Sequence, residues 1–460
     1  MHKVIVGNNI KIEYPSDAMY KWCVDNLIID NPDFYKKEYM GKSTWGVPRE
    51  IKLFSMNGDR LYLPFGCLQE FHATFGKDCK YKLLFSEFRK VDYTSNINLY
   101  DYQAKAVESA LKSKNGILVM PCGSGKTQTA LDIIARLGGK TLWLTHTQDL
   151  LQQSMIRAKS VLDTDATFGT ITAGKVDIGT GITFATVQTM CKVDLSEYKN
   201  AWDVIIIDEC QHCCGSPTRV TQFYKVVNSL SARYKIGLTA TPKRSDGLEQ
   251  SMFALLGGVM HEVTKDEVAD TTCTIKVNCI DTEYELDYNT VLMSDGTLNY
   301  TKLVDDLIHN QKRYDQILQE VQNIGKSMLI LANRVAYIEK LNHDFSGKSV
   351  CLSTLGQSKK AKAERKEVLK KLNNGELDAV FATYQLAKEG LDVPNLRYVI
   401  FATPEKDETT IIQSAGRVGR KADGKEFGTV IDFVDDFSMY RGWARKRKGY
   451  YRKIDAIILT

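Results

Sequence analysis

The chain has no apolar stretch approaching the roughly 20 residues that a membrane-spanning helix needs. Its N-terminus, MHKVIVGNNIKIEYPSD, lacks the basic, apolar and small-residue segments of a secretory leader. Both absences point to a chain that works in the cytoplasm, without a membrane partner. The 11 cysteines show no framework spacing, which excludes a disulfide scaffold and fits reduced thiols. Cys210, Cys213 and Cys214 cluster, but no second pair stands at zinc-finger spacing, so small buried thiols are expected there. An excess of either charge is missing too: 61 Lys+Arg against 56 Asp+Glu leave a net +5, which does not by itself establish a nucleic-acid partner. Internal repeats, low-complexity segments and any nuclease constellation are likewise absent.

What is present is ample core material. A hydrophobic fraction of 43% over 460 residues suits two or three domains. From about residue 97 to 262, apolar strands (GILVM, KTLWLT, GITFAT, WDVIIIDE, YKIGLTAT) alternate with helical stretches, the pattern of a parallel sheet with crossover helices. After a strand-like stretch (TCTIKVNCI) and one helical run from Thr301 to Ile324, the rhythm restarts with SMLILAN, KSVCLST, LDAVFAT, RYVIFAT and GTVIDFV. The first 95 residues differ, with isolated apolar runs between turn residues, and read as a smaller α+β or β-rich domain. The expected division is 1–95, 96–262 and 263–460.

Chemistry gathers at strand ends. In MPCGSGKTQTALDII, a strand runs into a turn holding Gly123, Ser124 and Gly125 and then into a helix. Glycines there let successive N–H groups curl around an anion, and the helix start adds partial positive charge. Lys126 would reach the outer phosphates of a nucleoside triphosphate and the Thr127 hydroxyl would bind Mg²⁺. The full phosphate-loop pattern has glycine where Met120 stands, so this is the relaxed form. WDVIIIDECQH ends a buried strand in Asp208, suited to Mg²⁺, and Glu209, suited to orienting an attacking water. His212, just beyond, is either a structural histidine or a coupling residue. The stretch YRGWARKRKGYYRK (440–453) mixes Arg445, Arg447 and further cations with aromatics; it is either a nucleic-acid contact or a solvated helix face. YKKEYMGKSTWGVPREIK (35–52) surrounds Trp45 with cations in the same way.

P-C-G-S-G-K-T, D-E-C-Q-H, L-T-A-T-P, A-T-Y-Q-L-A-K-E-G-L-D and Q-S-A-G-R-V-G-R occur in the order of the superfamily 2 helicase motifs. Over about residues 97–440 the chain resembles that superfamily, and T-A-T-P-K-R-S-D-G is similar to its XPB-like, DNA-acting branch. A small N-terminal domain before two motor lobes resembles the UvsW-like phage helicases of branched DNA, for which the site of action would be the host cytoplasm. The resemblance implies an α/β fold of two RecA-like lobes with a small N-terminal α+β domain, and ATP with Mg²⁺ in the cleft between the lobes. It implies that Gln103 reads adenine, although Tyr100 stands where this branch often has arginine. Gly123, Ser124, Gly125, Lys126 and Thr127 then hold phosphates, Asp208 and Glu209 metal and water, and Thr239 and Thr241 link hydrolysis to lobe movement. Gly390 and Asp392 would lie near the ribose and γ-phosphate, with Tyr384 replacing a common aspartate. Gln413, Arg417 and Arg420 would complete the site, and three-residue spacing puts both arginines on one helical face. Thr147, Thr186 and Thr383 resemble backbone-contacting positions, although hydroxyls at strand ends are as often caps.

The function expected is an ATP-dependent DNA helicase or translocase, a DNA-stimulated ATP hydrolase that remodels forks or four-way junctions by branch migration. Its partners would be single-stranded or branched DNA and other replication or recombination proteins. The alternatives are an RNA helicase, and a motor subunit of a restriction or transcription complex with no unwinding role of its own.

Overall fold

A computed structural model describes residues 1–121, 123–217, 220–243, 246–264, 266–268, 272–287, 291–293, 298–355, 359–388 and 393–459. The chain forms two compact units, Met1–Pro121 with Gly125–Glu267 and Cys122–Ser124 with Val268–Thr460. Among the described residues no helix is long and apolar enough to cross a membrane.

The first unit is built on two large sheets, beside two short two-stranded pairs, Ile28–Asp30 with Glu50–Lys52 and Thr94–Ser95 with Leu162–Asp163. Its N-terminal part is a five-stranded sheet in the order Ser55–Asn57, Arg60–Pro64, Asn9–Glu13, His2–Val6, Cys79–Leu83. Strict alternation along Asn9–Glu13 sends Ile10 and Ile12 inward onto Val4, Val6, Leu61, Leu63 and Phe71. The eight-stranded sheet that follows is the first RecA-like lobe. Its order is Lys175–Asp177, Gly169–Thr172, Ile182–Thr186, Thr141–Thr145, Val204–Asp208, Tyr234–Thr239, Asn115–Val119, Val259–Glu262. Every pairing is parallel except that of the edge strand Lys175–Asp177. Helices cover both faces, so the central strands are buried along their whole length, as VIIID is, and read as unbroken apolar runs.

The N-terminal sheet shares its core with this lobe: Cys214, Leu248 and Ala254 pack among its apolar residues. A Cβ on Gly66 would stand 2.3 Å from the Gly257 nitrogen and 2.5 Å from the Phe253 carbonyl, so only glycine permits this backbone approach. Lys235, fully buried on the strand Tyr234–Thr239, closes the joint. Its ammonium donates to the Val227 carbonyl (3.0 Å) and the Asn8 carbonyl (3.5 Å) and sits 4.8 Å above the Phe65 ring. Burial pushes its pKa down to about 7, with the Cys213 thiol opposing.

The second unit is built on a seven-stranded, wholly parallel sheet. Its order is Ser349–Cys351, Ala379–Thr383, Met328–Ala332, Tyr398–Phe401, Phe427–Val434, Thr274–Asp281, Ile457–Leu459. The helical run expected from Thr301 to Ile324 is two helices, Tyr300–His309 and Gln311–Ile324. The break falls at Asn310, whose extended backbone ends the first helix while its side-chain oxygen caps the Arg313 N–H of the second (3.0 Å).

Candidate nucleotide site

Three neighbouring strands bring the first lobe's motifs together. Val204–Asp208, Tyr234–Thr239 and Asn115–Val119 lie side by side in parallel, with Asp208 opposite Leu238 and Thr239 opposite Val119. Their carboxyl ends therefore emerge at one edge about 4.8 Å apart, where open α/β sheets bind ligands. After Asn115–Val119 the chain enters the phosphate loop. Gly123 (φ 83°) and Gly125 (φ 78°) adopt left-handed backbone, Ser124 is buried, and Gly125 leads into the helix Lys126–Leu137. The half-buried Lys126 and Thr127 open that helix, and a helix N-terminus favours an anion.

Asp208 is buried at the end of its strand, and Glu209 follows in the left-handed region (φ 52°), a conformation a non-glycine residue adopts at a cost. Burial, then the Glu209 carboxylate, raise the Asp208 pKa to about 7, while Lys126 opposes. An excess of buried negative charge at the phosphate loop is what a divalent cation relieves. Among the described residues no three His, Cys, Asp or Glu side chains converge. The donor set, one carboxylate and the Thr127 hydroxyl, therefore fits Mg²⁺ shared with nucleotide phosphates rather than an all-protein cage.

Beyond Glu209 runs a hydrogen-bonded relay. Gln211 Nε2 donates to Glu209 Oε2 (2.7 Å), and the Thr239 hydroxyl donates to Gln211 Oε1 (2.8 Å). The Thr241 N–H then donates to the Thr239 oxygen (3.0 Å). Thr239 and Gln211 are buried, so the linkage is shielded from water. The hydrogen-bonded linkage from Glu209 to Thr239 thus runs through Gln211, which the sequence reading did not single out. The His212 ring is exposed, lying 4.7 Å from His146 and stacked at 6.4 Å on Phe223. The signal was available: the fourth letter of D-E-C-Q is a two-ended amide able to bridge a carboxylate and a hydroxyl.

Gln103, expected to read adenine, is 1% exposed. Its Oε1 accepts from the Tyr100 N–H (3.0 Å), and its Nε2 fills the space a Cβ on Gly125 would need (2.3 Å), so it braces the phosphate loop. Beside it the exposed Tyr100 ring stacks on Tyr102, centroids 5.6 Å apart. Of the three threonines, Thr147 caps the helix Gln148–Val161 by accepting from the Leu150 N–H (3.3 Å). Thr186 is buried, its hydroxyl donating to Thr189 (3.1 Å). Thr383, half-buried, ends the strand Ala379–Thr383, and its N–H donates to Ser353 (3.1 Å). Thr186 also lines a cavity of about 370 Å³ with His146, Gln148, Gly174, Gln188 and Lys192.

In the second unit, Gln413 is half-buried on the helix Glu408–Gly416. The two arginines do not share a helical face. Arg417 opens a 3-10 turn ending at Gly419, and Arg420 follows with extended backbone (ψ 134°). Arg417 is buried and its guanidinium donates to the Ala387 carbonyl, whereas Arg420 is half-exposed. Gly390 and Asp392 lie outside the described residues.

The basic 440–453 stretch is the helix Ser438–Lys453, and it divides by face. Arg445 and Lys446 are exposed, whereas Tyr440, Ala444, Arg447 and Tyr451 are buried at helical spacing. Arg447 is thus no nucleic-acid contact. It pairs with Asp432 (Nη2 to Oδ1, 2.8 Å) and donates to the Glu405 carbonyl (3.2 Å), and Tyr451 donates to the same carboxylate (2.8 Å). Trp45 is the opposite case, 93% exposed on the loop after the helix Pro32–Tyr39.

Comparison with known proteins agrees with this geometry. Residues 96–244 match the Type III restriction enzyme, res subunit, family and residues 311–422 match the helicase conserved C-terminal domain. The chain is 28% identical to DNA 3'-5' translocase XPB2 of Sulfurisphaera tokodaii, over 76% of this chain and 85% of that protein. It is 27% identical to an Acanthamoeba polyphaga mimivirus protein named for an ATP-dependent RNA helicase, covering 76% of this chain and just 66% of that one. The fold is shared with the DNA-bound Type ISP restriction-modification enzyme LlaBIII, at a TM-score of 0.57 and 19% identity, over 78% of this chain and 30% of that one. Two matched helicase domains and two parallel-sheet lobes place the chain among the superfamily 2 helicases related to XPB, a family of ATP hydrolases.

Proposed function

We propose that the chain couples ATP hydrolysis to remodelling of branched DNA, moving forks or four-way junctions. In this reading Lys126 and the loop N–H groups hold the β- and γ-phosphates, while Asp208 and Thr127 hold Mg²⁺, which offsets phosphate charge. Glu209 orients the attacking water, and the second lobe supplies Arg417 and Arg420 against charge developing on the γ-phosphate. The Glu209–Gln211–Thr239 relay lets the state of that water reach the Thr239–Thr241 segment. Gly390 and Asp392 are assigned by motif alone.

The observation that carries the branched-DNA reading is the exposure of Trp45 and Tyr39, each 93%. Two aromatic rings bared beside Lys36, Lys37, Lys42 and Arg49 suit stacking on an unpaired base with phosphates held around it. A motor gripping backbone alone does not distinguish a fork from plain duplex, so an added surface has to. Arg445 and Lys446 offer further phosphate contacts. The name of the mimivirus relative favours a second reading, in which the strand is RNA.

The test is ATP turnover with single-stranded, duplex, forked and four-way DNA and with RNA. Trp45→Ala is expected to weaken junction binding by about 1–3 kcal/mol and leave basal hydrolysis intact. Undiminished junction preference in that variant would remove Trp45 from the reading. Stimulation by RNA and not by DNA would replace it with the second one.

A further inference from the structure

The turn carrying the second lobe's arginines is fixed from several sides. A Cβ on Gly428 would fall 2.1 Å from the Val418 carbonyl, so the turn sits directly on the strand Phe427–Val434. At the entry to the strand Thr274–Asp281, the Cys273 N–H donates to the Gly419 carbonyl (2.9 Å). The Cys273 thiol lies 3.2 Å from the Val418 carbonyl and 3.5 Å from that of Arg420. Another restraint is a lysine. Lys425 is 6% exposed, and its ammonium donates to the Arg420 carbonyl (2.9 Å) and to the Pro394 carbonyl (3.1 Å). Pro394 stands two residues after Asp392.

We propose that Lys425 is a positioning residue for ATP turnover, its ammonium clamping the backbone of Arg420 to the backbone that follows Asp392. The inference rests on the reading that Arg420 acts on the γ-phosphate. A lysine is rarely buried without a charged partner. Here the cost is met by two carbonyls from segments far apart in sequence, one belonging to the arginine turn and the other to the segment with the ribose- and phosphate-side motif. A guanidinium can follow charge developing on a phosphate only if its own backbone is held, and displacement by about 1 Å is enough to cost up to about 10²-fold in rate.

The clamp is also sensitive to pH. Burial pushes the Lys425 pKa down to about 8, with Arg397 and Arg420 adding to the fall and the Cys273 thiol opposing it. Below that value a charge-assisted clamp is in place; above it a neutral amine donates more weakly.

Lys425→Met is expected to lower kcat for ATP by about 10- to 100-fold with KM within about threefold of wild type, since binding is spared. In an Arg420→Ala background the same change is expected to cost little more, because the clamp acts through that arginine. The wild-type kcat is expected to fall as pH rises through about 8, and Lys425→Gln, which donates without titrating, to lack that limb. A folded Lys425→Met with wild-type kcat beside an impaired Arg420→Ala overturns the inference alone, as do losses that multiply in the double variant. Wild-type turnover by Arg420→Ala overturns both the inference and the reading beneath it. Should Lys425→Met not fold, the pH profiles of the wild type and of Lys425→Gln decide: identical profiles overturn the clamp.

Discussion

In the proposed site Lys126 and Glu209 take opposite sides of the same reaction, one holding phosphate and the other steering water, so their replacement is expected to separate binding from chemistry. Lys126→Ala is expected to abolish turnover and weaken nucleotide binding, whereas Glu209→Gln is expected to bind ATP without hydrolysing it. Equilibrium binding beside single-turnover hydrolysis checks both, and brisk turnover by either variant would refute the site. Arg447 makes the corresponding point for the basic helix. Its partner Asp432 is buried with it, so Arg447→Ala is expected to destabilise the second lobe by about 3–5 kcal/mol, seen in thermal unfolding. Arg445 and Lys446 carry their charge in solvent. Neutralising them is expected to leave stability within about 0.5 kcal/mol. It should also flatten the salt dependence of duplex DNA binding by about 0.9 in log K per log salt for each phosphate that the helix no longer neutralises. An unchanged slope would assign that face to solvent.

At the scale of elements, the arginine turn depends on a residue with no side chain. Gly428→Ala places a methyl 2.1 Å from the Val418 carbonyl, and overpacking of that kind costs about 1–3 kcal/mol. Turnover is expected to fall with it, because the turn has to shift; a wild-type kcat in a protein of lowered melting temperature would show that the turn tolerates displacement. The buried parallel strands were legible in the sequence because burial on both faces makes each an unbroken apolar run. Val259–Glu262 and Ile457–Leu459 were not, being short, edge-lying and partly exposed. Reading 440–453 by charge content hid its organisation: positions 440, 444, 447 and 451 form the buried stripe, and Arg447 falls on it. The phosphate loop and paired acids were legible because their chemistry needs adjacent residues. The relay through Gln211 and the clamp through Lys425 join segments far apart in the chain, and only the sheet order and the turn geometry reveal them.

For the molecule as a whole, the N-terminal sheet is part of the first unit rather than an appendage. Removing residues 1–95 would bare Leu248, Ala254 and Cys214 and leave Lys235 without Asn8 and Phe65. Substitution rather than truncation is therefore the way to probe its role. Lys235 also makes this joint titrate. Its folded pKa of about 7 lies below the ordinary lysine value of 10.5, so the unfolded chain binds the extra proton between those values. Stability is therefore expected to rise with pH across that window and to be flat below it, by an amount on the order of a few kcal/mol. Lys235→Met is expected to be more stable than wild type near pH 7 and to lose that advantage by about pH 10. Denaturant unfolding of both proteins across the range checks it, and parallel stability curves would exclude the buried amine as the cause.

The glycine at 66 has a consequence for how the protein opens. There the turn Phe65–Cys67, which follows the strand Arg60–Pro64, meets the end of the helix Glu249–Leu256 with no side chain between them, so the N-terminal sheet and the first lobe are expected to open together. Hydrogen exchange should accordingly find the central amides of His2–Val6 and Asn9–Glu13 protected to the same free energy as those of Val204–Asp208, one cooperative foldon across what looks in sequence like a domain boundary.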